Sequence, residues 1–160
     1  MAGMKFTRKI NFDEKTLAES VFGNTLPWDK IIISNTIGAQ QRQYVTPELR
    51  HDGGWIMHLG GIMYAGSTTT SDATTFIHEL THVWQSYHSP KRWNYVANSM
   101  CHQILMMKGS KAYDYVVGAA WQAYNVEQQA EIVSHWFHFG MDEADSRFPY
   151  VRDNIRKGVN

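Results

Sequence analysis

The chain has 160 residues and a mass of 18.4 kDa, enough for one hydrophobic core without a disulfide or a structural metal. Basic and acidic residues both number 15, so no charge excess favours nucleic acid or an anionic membrane as a partner. Cys101 is the only cysteine, which excludes an intramolecular disulfide and favours synthesis in a reducing cytoplasm. No apolar run is typical of a Sec signal or a membrane span.

Local patterns predict strands in the first part of the chain. Residues 13–22 are typical of a short amphipathic helix that ends at Gly23. The β-branched run at 30–35 predicts a strand, and 41–46 predicts a second one. The apolar segment 53–66 contains several glycines, which indicates one or two strands with a bulge or a close backbone approach.

Helical patterns dominate the rest of the sequence. One helix is predicted to begin after Ser71 or Asp72 and to end before the Ser-Pro pair at 89–90. A second is predicted over 94–108, and a third over roughly 113–140 with a break near Asn125. Strands that precede helices predict an α+β fold rather than an alternating α/β fold.

The predicted helix after residue 71 carries the sequence His-Glu-Leu-Thr-His. At 100° per residue, His78 and His82 lie about one turn apart, away from the apolar stripe that packs on the core. Two such imidazoles can bind one zinc ion, with Glu79 as general base. The alternative is a helix with solvated histidines. The stripe consists of Phe76, Ile77, Leu80, Val83, Trp84 and Tyr87.

A catalytic zinc site usually needs a third protein ligand. A third histidine at the spacing H-E-x-x-H-x-x-G-x-x-H is excluded, because no glycine turn follows His82. Glu127 and Glu131 are one turn apart on a later, mostly apolar helix, where buried carboxylates need a partner. We assign Glu127 as the third ligand and Glu131 as the acceptor for a ligand histidine N–H. The reverse assignment, and a solvated acidic edge, are the alternatives.

These two motifs resemble those of gluzincin metallopeptidases, in which H-E-x-x-H is followed by E-x-x-x-D on a later helix. Here the second motif is E-Q-Q-A-E, so Glu131 stands where the aspartate is usual. The segments FIHELTHVWQ and YNVEQQAEIV, with the opening FTRKI, resemble more closely the small metallopeptidase-like proteins associated with Rhs and VgrG proteins of type VI secretion.

The resemblance implies one metallopeptidase-like domain over 1–160 with a zincin-like fold. That fold has a small mixed sheet, an active-site helix and a C-terminal helix that carries the third ligand. It implies Zn²⁺ as cofactor, peptide-bond hydrolysis, and delivery into a target cell as an antibacterial effector after synthesis in the cytoplasm. In zincins an edge strand near the active-site helix pairs with substrate, a role for which 55–66 is a candidate beside that of a plain core strand.

Expected partners are a peptide or protein substrate, a VgrG or Rhs secretion protein, and an immunity protein. No nucleic acid and no membrane is expected as a partner. The competing hypothesis is an adaptor without turnover that binds a secretion spike, with or without zinc. Tyr113, Tyr115, Tyr124 and His138 are candidates for an oxyanion donor, although packing is the stronger expectation for each.

Overall fold

A four-stranded mixed sheet forms one side of the molecule. The computed structural model describes residues 5–48, 53–66, 69–89 and 113–160. The two central strands run parallel, and each edge strand pairs antiparallel to its neighbour. The order across the sheet is β1-β2-β4-β3, with β1 Thr7–Lys9, β2 Ile31–Ser34, β3 Tyr44–Pro47 and β4 Trp55–His58.

Two long helices, α3 Thr70–His88 and α4 Val126–His138, pack against each other, and α3 also contacts the sheet. All four strands precede these helices, so the predicted α+β class with a small mixed sheet is confirmed. Trp55, Trp84 and Trp136 are completely buried and link the sheet, α3 and α4 in one core. The helices are α1 Phe12–Phe22, α2 Gly60–Tyr64, α3 Thr70–His88, α4 Val126–His138 and α5 Phe148–Asp153.

The starts of the two long helices follow from capping side chains. The Thr69 hydroxyl accepts a hydrogen bond from the Asp72 amide, so α3 begins slightly before the predicted Ser71. Asn125 and Gln128 form a reciprocal capping box at α4. The predicted break near Asn125 is therefore confirmed as a helix start.

The segment 53–66 contains one strand rather than two. β4 ends at His58, and Gly60 at φ +80° turns the chain into the short helix α2. The predicted close backbone approach is confirmed at Gly54, where an added Cβ would lie 2.4 Å from the Lys30 carbonyl oxygen. Of the two predicted alternatives, the single strand is confirmed, and the pattern does not reveal the left-handed glycine that turns the chain into α2.

The predicted long final helix is also shorter than expected. Residues 113–120 form no helix, and a 3₁₀ turn at Trp121–Ala123 precedes α4. Gly118 has φ +125°, a backbone conformation that an α-helix cannot contain. The helix predicted over 94–108 lies outside the described residues. α5 was not predicted. None of the helices in the described ranges combines the length and apolarity that crossing a membrane requires.

α3 is buried on more sides than its apolar stripe indicates. His82 lies outside that stripe, as predicted, yet it is only 2 % exposed because α4 covers it. Tyr87 was predicted to belong to the buried stripe but is 45 % exposed. It lies in the last turn of α3, where its ring makes an edge contact with the buried Trp55. The histidines therefore face a helix interface rather than solvent.

His58 is a buried titratable group within the sheet. Its ring stacks on Tyr44, its Nδ1 contacts the Thr36 hydroxyl, and its Nε2 lies 2.9 Å from the Thr46 hydroxyl. Burial, assisted by the charge of Lys5, lowers the pKa of His58 from 6.5 to about 4. The folded protein therefore keeps this imidazole neutral over a range in which the unfolded chain is protonated.

This arrangement predicts a loss of stability in mild acid. Between pH 6.5 and 4 the unfolded state binds the extra proton, so the free energy of unfolding falls as the pH is lowered. We expect His58 to contribute about 2 kcal/mol to that fall. Urea unfolding of the wild type and His58→Gln at pH 7 and pH 5 measures it. An equal pH slope in both proteins would contradict the prediction.

Candidate metal centre

Two helices supply the three residues predicted as ligands. His78 and His82 lie one turn apart on α3, and Glu127 lies in the first turn of α4. The Asn125 capping box fixes where α4 begins, and this sets the position of Glu127 opposite the two imidazoles. The Glu127 carboxylate is buried against α3, although the two motifs are far apart in the sequence.

The ligand atoms lie at the separations that a metal site requires. Glu127 Oε2 is 3.3 Å from His78 Nε2 and 3.4 Å from His82 Nε2. One ligand atom from each of the three residues lies within 4.8 Å of the other two. Two ligands at about 2.0–2.1 Å from a tetrahedral zinc ion are about 3.3–3.4 Å apart. The three residues can therefore hold a metal ion without moving far.

Buried polar atoms without hydrogen-bond partners concentrate at this point. In the described part of the chain, three of the five such side-chain atoms are Glu79 Oε2, His82 Nε2 and Glu127 Oε1. The other two are the indole nitrogens of Trp28 and Trp121. Unsatisfied buried acceptors and nitrogens are costly in a folded protein, and a bound cation with its water would satisfy all three. The residues present thus fit a metal ion.

The orientation of His82 is fixed by a chain of buried amides. Gln85 donates from Nε2 to the Gln129 side-chain oxygen at 2.7 Å and to the Val126 carbonyl at 2.9 Å. Its Oε1 is therefore an acceptor, and it lies 3.0 Å from His82 Nδ1. Gln129 in turn donates to the Trp121 carbonyl. The proton of a neutral His82 is held on Nδ1, which leaves Nε2 free to bind a metal.

Sequence reasoning did not identify Gln85 as part of the site. We expect Gln85→Met to weaken metal binding about 10- to 100-fold, because the imidazole loses the acceptor that fixes its tautomer. Gln129→Met is the matched control, since Gln129 belongs to the same buried network but hydrogen-bonds to Gln85 and Trp121 rather than to His82. Metal affinity measured by chelator competition separates them. Equal losses in both variants would mean that only general destabilisation is involved.

Glu131 lies beside the other ring nitrogen of His78. Its Oε1 is 3.4 Å from His78 Nδ1, and its Oε2 is 2.8 Å from His135 Nε2. The Tyr115 hydroxyl is 2.9 Å from the remaining nitrogen of His135. His78 and His82 thus both direct Nε2 toward Glu127. The Nδ1 of His78 lies beside a Glu131 oxygen, and the Nδ1 of His82 lies beside the Gln85 side-chain oxygen. His135 and Tyr115 extend this network, and Glu131 and His135 share one helix face because they are four residues apart.

The two glutamates are expected to differ in their effect on metal binding. Glu127→Gln should reduce affinity on the order of a thousandfold, because it removes an anionic ligand from a three-residue site. Glu131→Gln should reduce it only about 10- to 100-fold, because its amide oxygen can still accept from His78. Chelator competition on both variants tests this order. The reverse order would support Glu131 as the ligand.

Electrostatics in the metal-free protein couple the same residues. Burial would lower the pKa of His82, but the charge of Glu127 and hydrogen bonds raise it to about 9. Burial opposes ionisation of Glu127, yet the two histidines hold the pKa of its carboxyl well below the usual range. A buried ion pair with 3.4 Å between Nε2 and Oε2 results. A metal ion would take the place of the proton on His82.

Glu79 is buried immediately beside these ligands and is 5 % exposed. Burial raises the pKa of its carboxyl, while the neighbouring His82 and His78 act in the opposite direction. A raised pKa makes a carboxylate a stronger base, which suits a group that accepts a proton and returns it. Its free Oε2 has no protein partner. Glu79 is also one of the residues that line the cleft beside the three grouped side chains.

A cleft of about 430 Å³ opens onto the group, a volume in the range of small-ligand sites. It is bordered by Arg42 and Gln43 of the loop before β3, by α3, and by Tyr113. Among the candidate oxyanion donors, Tyr113 is the tyrosine that lines this cleft. Tyr124 instead donates to the Val116 carbonyl in the core.

β4 is not an edge strand. β2 and β3 hydrogen-bond to its two sides, so residues 55–58 have no free edge on which an extended peptide could pair. Of the two alternatives for this segment, the plain core strand is confirmed and the substrate-pairing edge strand is excluded, because β4 inserts between two strands that precede it in the chain. The edge on the side of the cleft is β3.

Comparison with known proteins finds one informative relative. The chain is 30 % identical over 165 residues to the type VI secretion system spike protein VgrG2b of Pseudomonas aeruginosa. This alignment covers 94 % of the chain but only 15 % of that spike protein. No protein-family model matches the chain, and no solved structure gives a significant match.

Proposed function

We propose that this chain is a zinc-dependent peptidase domain associated with type VI secretion. The observation that carries the proposal is the buried convergence of two histidines and a glutamate, beside a glutamate whose carboxylate oxygen has no partner. The three candidate ligands are His78, His82 and Glu127, and the free oxygen belongs to Glu79. A site made only for stability would not need an unpaired carboxylate at a cleft.

Zinc is the metal that suits this donor set best. Two imidazole nitrogens and one carboxylate oxygen are the ligands of a known class of catalytic zinc sites, in which a fourth position remains open. Calcium and magnesium prefer sites made of oxygen atoms alone. When bound, zinc would polarise the substrate carbonyl and make a water molecule more acidic.

The chain's own residues then divide the remaining work of peptide hydrolysis. The oxygen of a water bonds to the carbonyl carbon, the C–N bond breaks, and Glu79 carries a water proton to the departing amine. Its burial favours this exchange, since its pKa is raised from the value of a solvated carboxyl. Glu131 and Gln85 hold the two imidazole rings during the cycle.

The secretion association rests on the resemblance to VgrG2b. Nearly the whole chain aligns with a small part of a protein named as a type VI secretion spike. We therefore propose a VgrG or Rhs secretion protein as carrier, a peptide or protein of a target cell as substrate, and an immunity protein as the natural inhibitor. Under this proposal the cleft faces substrate only after delivery.

A non-catalytic module is the second candidate, because the aligned relative is named as a spike component. Such a module would use the metal group to hold α3 and α4 together and would not cleave peptides. The buried unpaired oxygen of Glu79 favours the enzyme.

Metal content and chelator-reversible cleavage test the proposal. The chain is purified without chelator, its metal is measured by mass spectrometry, and it is incubated with peptides from a digested bacterial proteome. We expect one zinc per chain, with cleavage that ends on chelation and returns when zinc is added. Absence of zinc binding refutes the proposed zinc site. Zinc binding without cleavage of peptides or unfolded protein favours the non-catalytic module.

A further inference from the structure

Arg42 has an unusual place in the cleft. Of the lining residues in the described part of the chain, it is the only lysine or arginine. Three carboxylates line the same cleft, yet none of the ion pairs among described residues includes Arg42. Its side chain is exposed at the mouth. A guanidinium whose role was only to neutralise those carboxylates would be expected to pair with one of them. The three are Glu79, Glu127 and Glu131.

The loop that presents Arg42 has a strained backbone. Gln40 and Gln41, two successive residues other than glycine, have φ values of 58° and 60°. The Gly38 amide donates to the Arg42 carbonyl at 2.8 Å, and a Cβ on Gly38 would lie 3.1 Å from the Tyr44 ring. Such strain persists only where surrounding contacts hold it, and it concentrates at functional sites. The backbone of Arg42 is thus fixed between a tight turn and β3.

Tyr113 indicates that the charge of Arg42 acts inside the cleft. Burial and the negative charge of Glu127 raise the pKa of the Tyr113 hydroxyl, whereas Arg42 lowers it. Tyr113 and Arg42 line the same cleft as Glu127, so the arginine and the metal group occupy one continuous space. An anionic substrate group at Arg42 would therefore be held close to the reacting centre.

We propose that Arg42 binds a carboxylate of the peptide substrate and so selects acidic peptides or peptide ends. This proposal rests on the proposed peptidase function and names its substrate class. A guanidinium binds a carboxylate through two parallel N–H···O hydrogen bonds, which fixes both distance and orientation. Among the cleft residues that the structure describes, Arg42 is the arginine or lysine that can pair with an anionic group of the substrate. A terminal carboxylate and an Asp or Glu side chain share this chemistry.

Peptide binding to an inactive variant tests the proposal without requiring turnover. The Glu79→Gln chain is immobilised, loaded with zinc, and exposed to peptides from a digested bacterial proteome, either untreated or with all carboxylates amidated. We expect untreated peptides to be retained about tenfold more than amidated ones, the effect of a charged hydrogen bond. Adding Arg42→Gln should reduce the ratio to below twofold. Adding Arg152→Gln, at an exposed arginine remote from the cleft, should leave it unchanged.

The source of the carboxylate is then separated with synthetic peptides. The best-retained peptide is remade with a C-terminal amide and, separately, with Asn and Gln in place of Asp and Glu. Loss of retention in one of these identifies the group that Arg42 binds. Equal retention of untreated and amidated libraries, or a ratio that survives Arg42→Gln, overturns the proposal even if the unmutated chain cleaves peptides. If retention by the Glu79→Gln chain depends on Arg42 but the unmutated chain cleaves no peptide, the binding site is supported and the peptidase function is refuted.

Discussion

We expect His82→Ala to abolish stable zinc binding. The imidazole Nε2 faces Glu127 Oε2 at 3.4 Å, and removal of this ring leaves one nitrogen and one oxygen ligand. Affinity should fall on the order of a thousandfold, since a metal site depends on its full set of ligands. Zinc at a thousandfold over its dissociation constant should stabilise the wild type by about 4 kcal/mol, and this gain should be lost in the variant.

Zinc content by mass spectrometry and urea unfolding with and without zinc measure both effects. His88→Ala is a suitable control, because His88 lies in the last turn of α3 and contacts the Thr25 carbonyl instead of the metal group. The control is expected to lose some stability but to retain zinc and its stabilising effect. Retention of stoichiometric zinc by His82→Ala would show that the zinc ion binds at another site.

The metal-free state has its own consequence for this variant. His82 and Glu127 form a buried ion pair, and removal of His82 leaves the buried carboxylate with one of its two imidazole neighbours, His78. His82→Ala should therefore be less stable than the wild type even without zinc, and Glu127→Gln should partly restore stability in the double variant. The pair proposed as metal ligands would thus also stabilise the helix interface in the metal-free protein.

Local sequence patterns predicted the main elements because capping, periodicity and β-branched runs act over a few residues. The strand at Ile31–Ser34, the helix carrying His78 and the start at Asn125 are of this kind. The α2 turn was missed because it depends on one glycine conformation. The order of strands was also missed, since insertion of β4 between two earlier strands is a property of the sheet as a whole.

The same distinction applies to the candidate site. H-E-x-x-H and the later glutamates are visible because one turn of helix separates residues that act together. Gln85 was not identified, because its role depends on the way in which α3 and α4 face each other. Helix-helix packing converts a buried polar face into an ordered network. The sequence of either helix taken alone contains no signal of the contacts that it makes with the other. Arg42 is likewise brought to the cleft only by the turn before β3.

We expect Glu79→Gln to retain zinc and to lose cleavage, which separates an enzyme from a binding module. Glutamine keeps the shape of the side chain but cannot take up a proton, and Glu79 is not one of the three grouped ligands. Loss of a positioned general base reduces turnover by about 10²- to 10⁴-fold. Cleavage of the proteome-derived peptides, measured per bound zinc, gives the rate for each protein.

The buried position of Glu79 makes one further outcome informative. Because burial raises the pKa of this carboxyl, the neutral glutamine should fold at least as stably as the wild type, so lost activity would not reflect unfolding. Glu131→Gln is the matched comparison, since it changes a second carboxylate at the same cleft. Its rate per bound zinc should stay within about tenfold of wild type, because its role is exerted through His78. Unchanged turnover per zinc in Glu79→Gln would exclude it as general base and leave the metal group without the proton carrier that peptide hydrolysis needs.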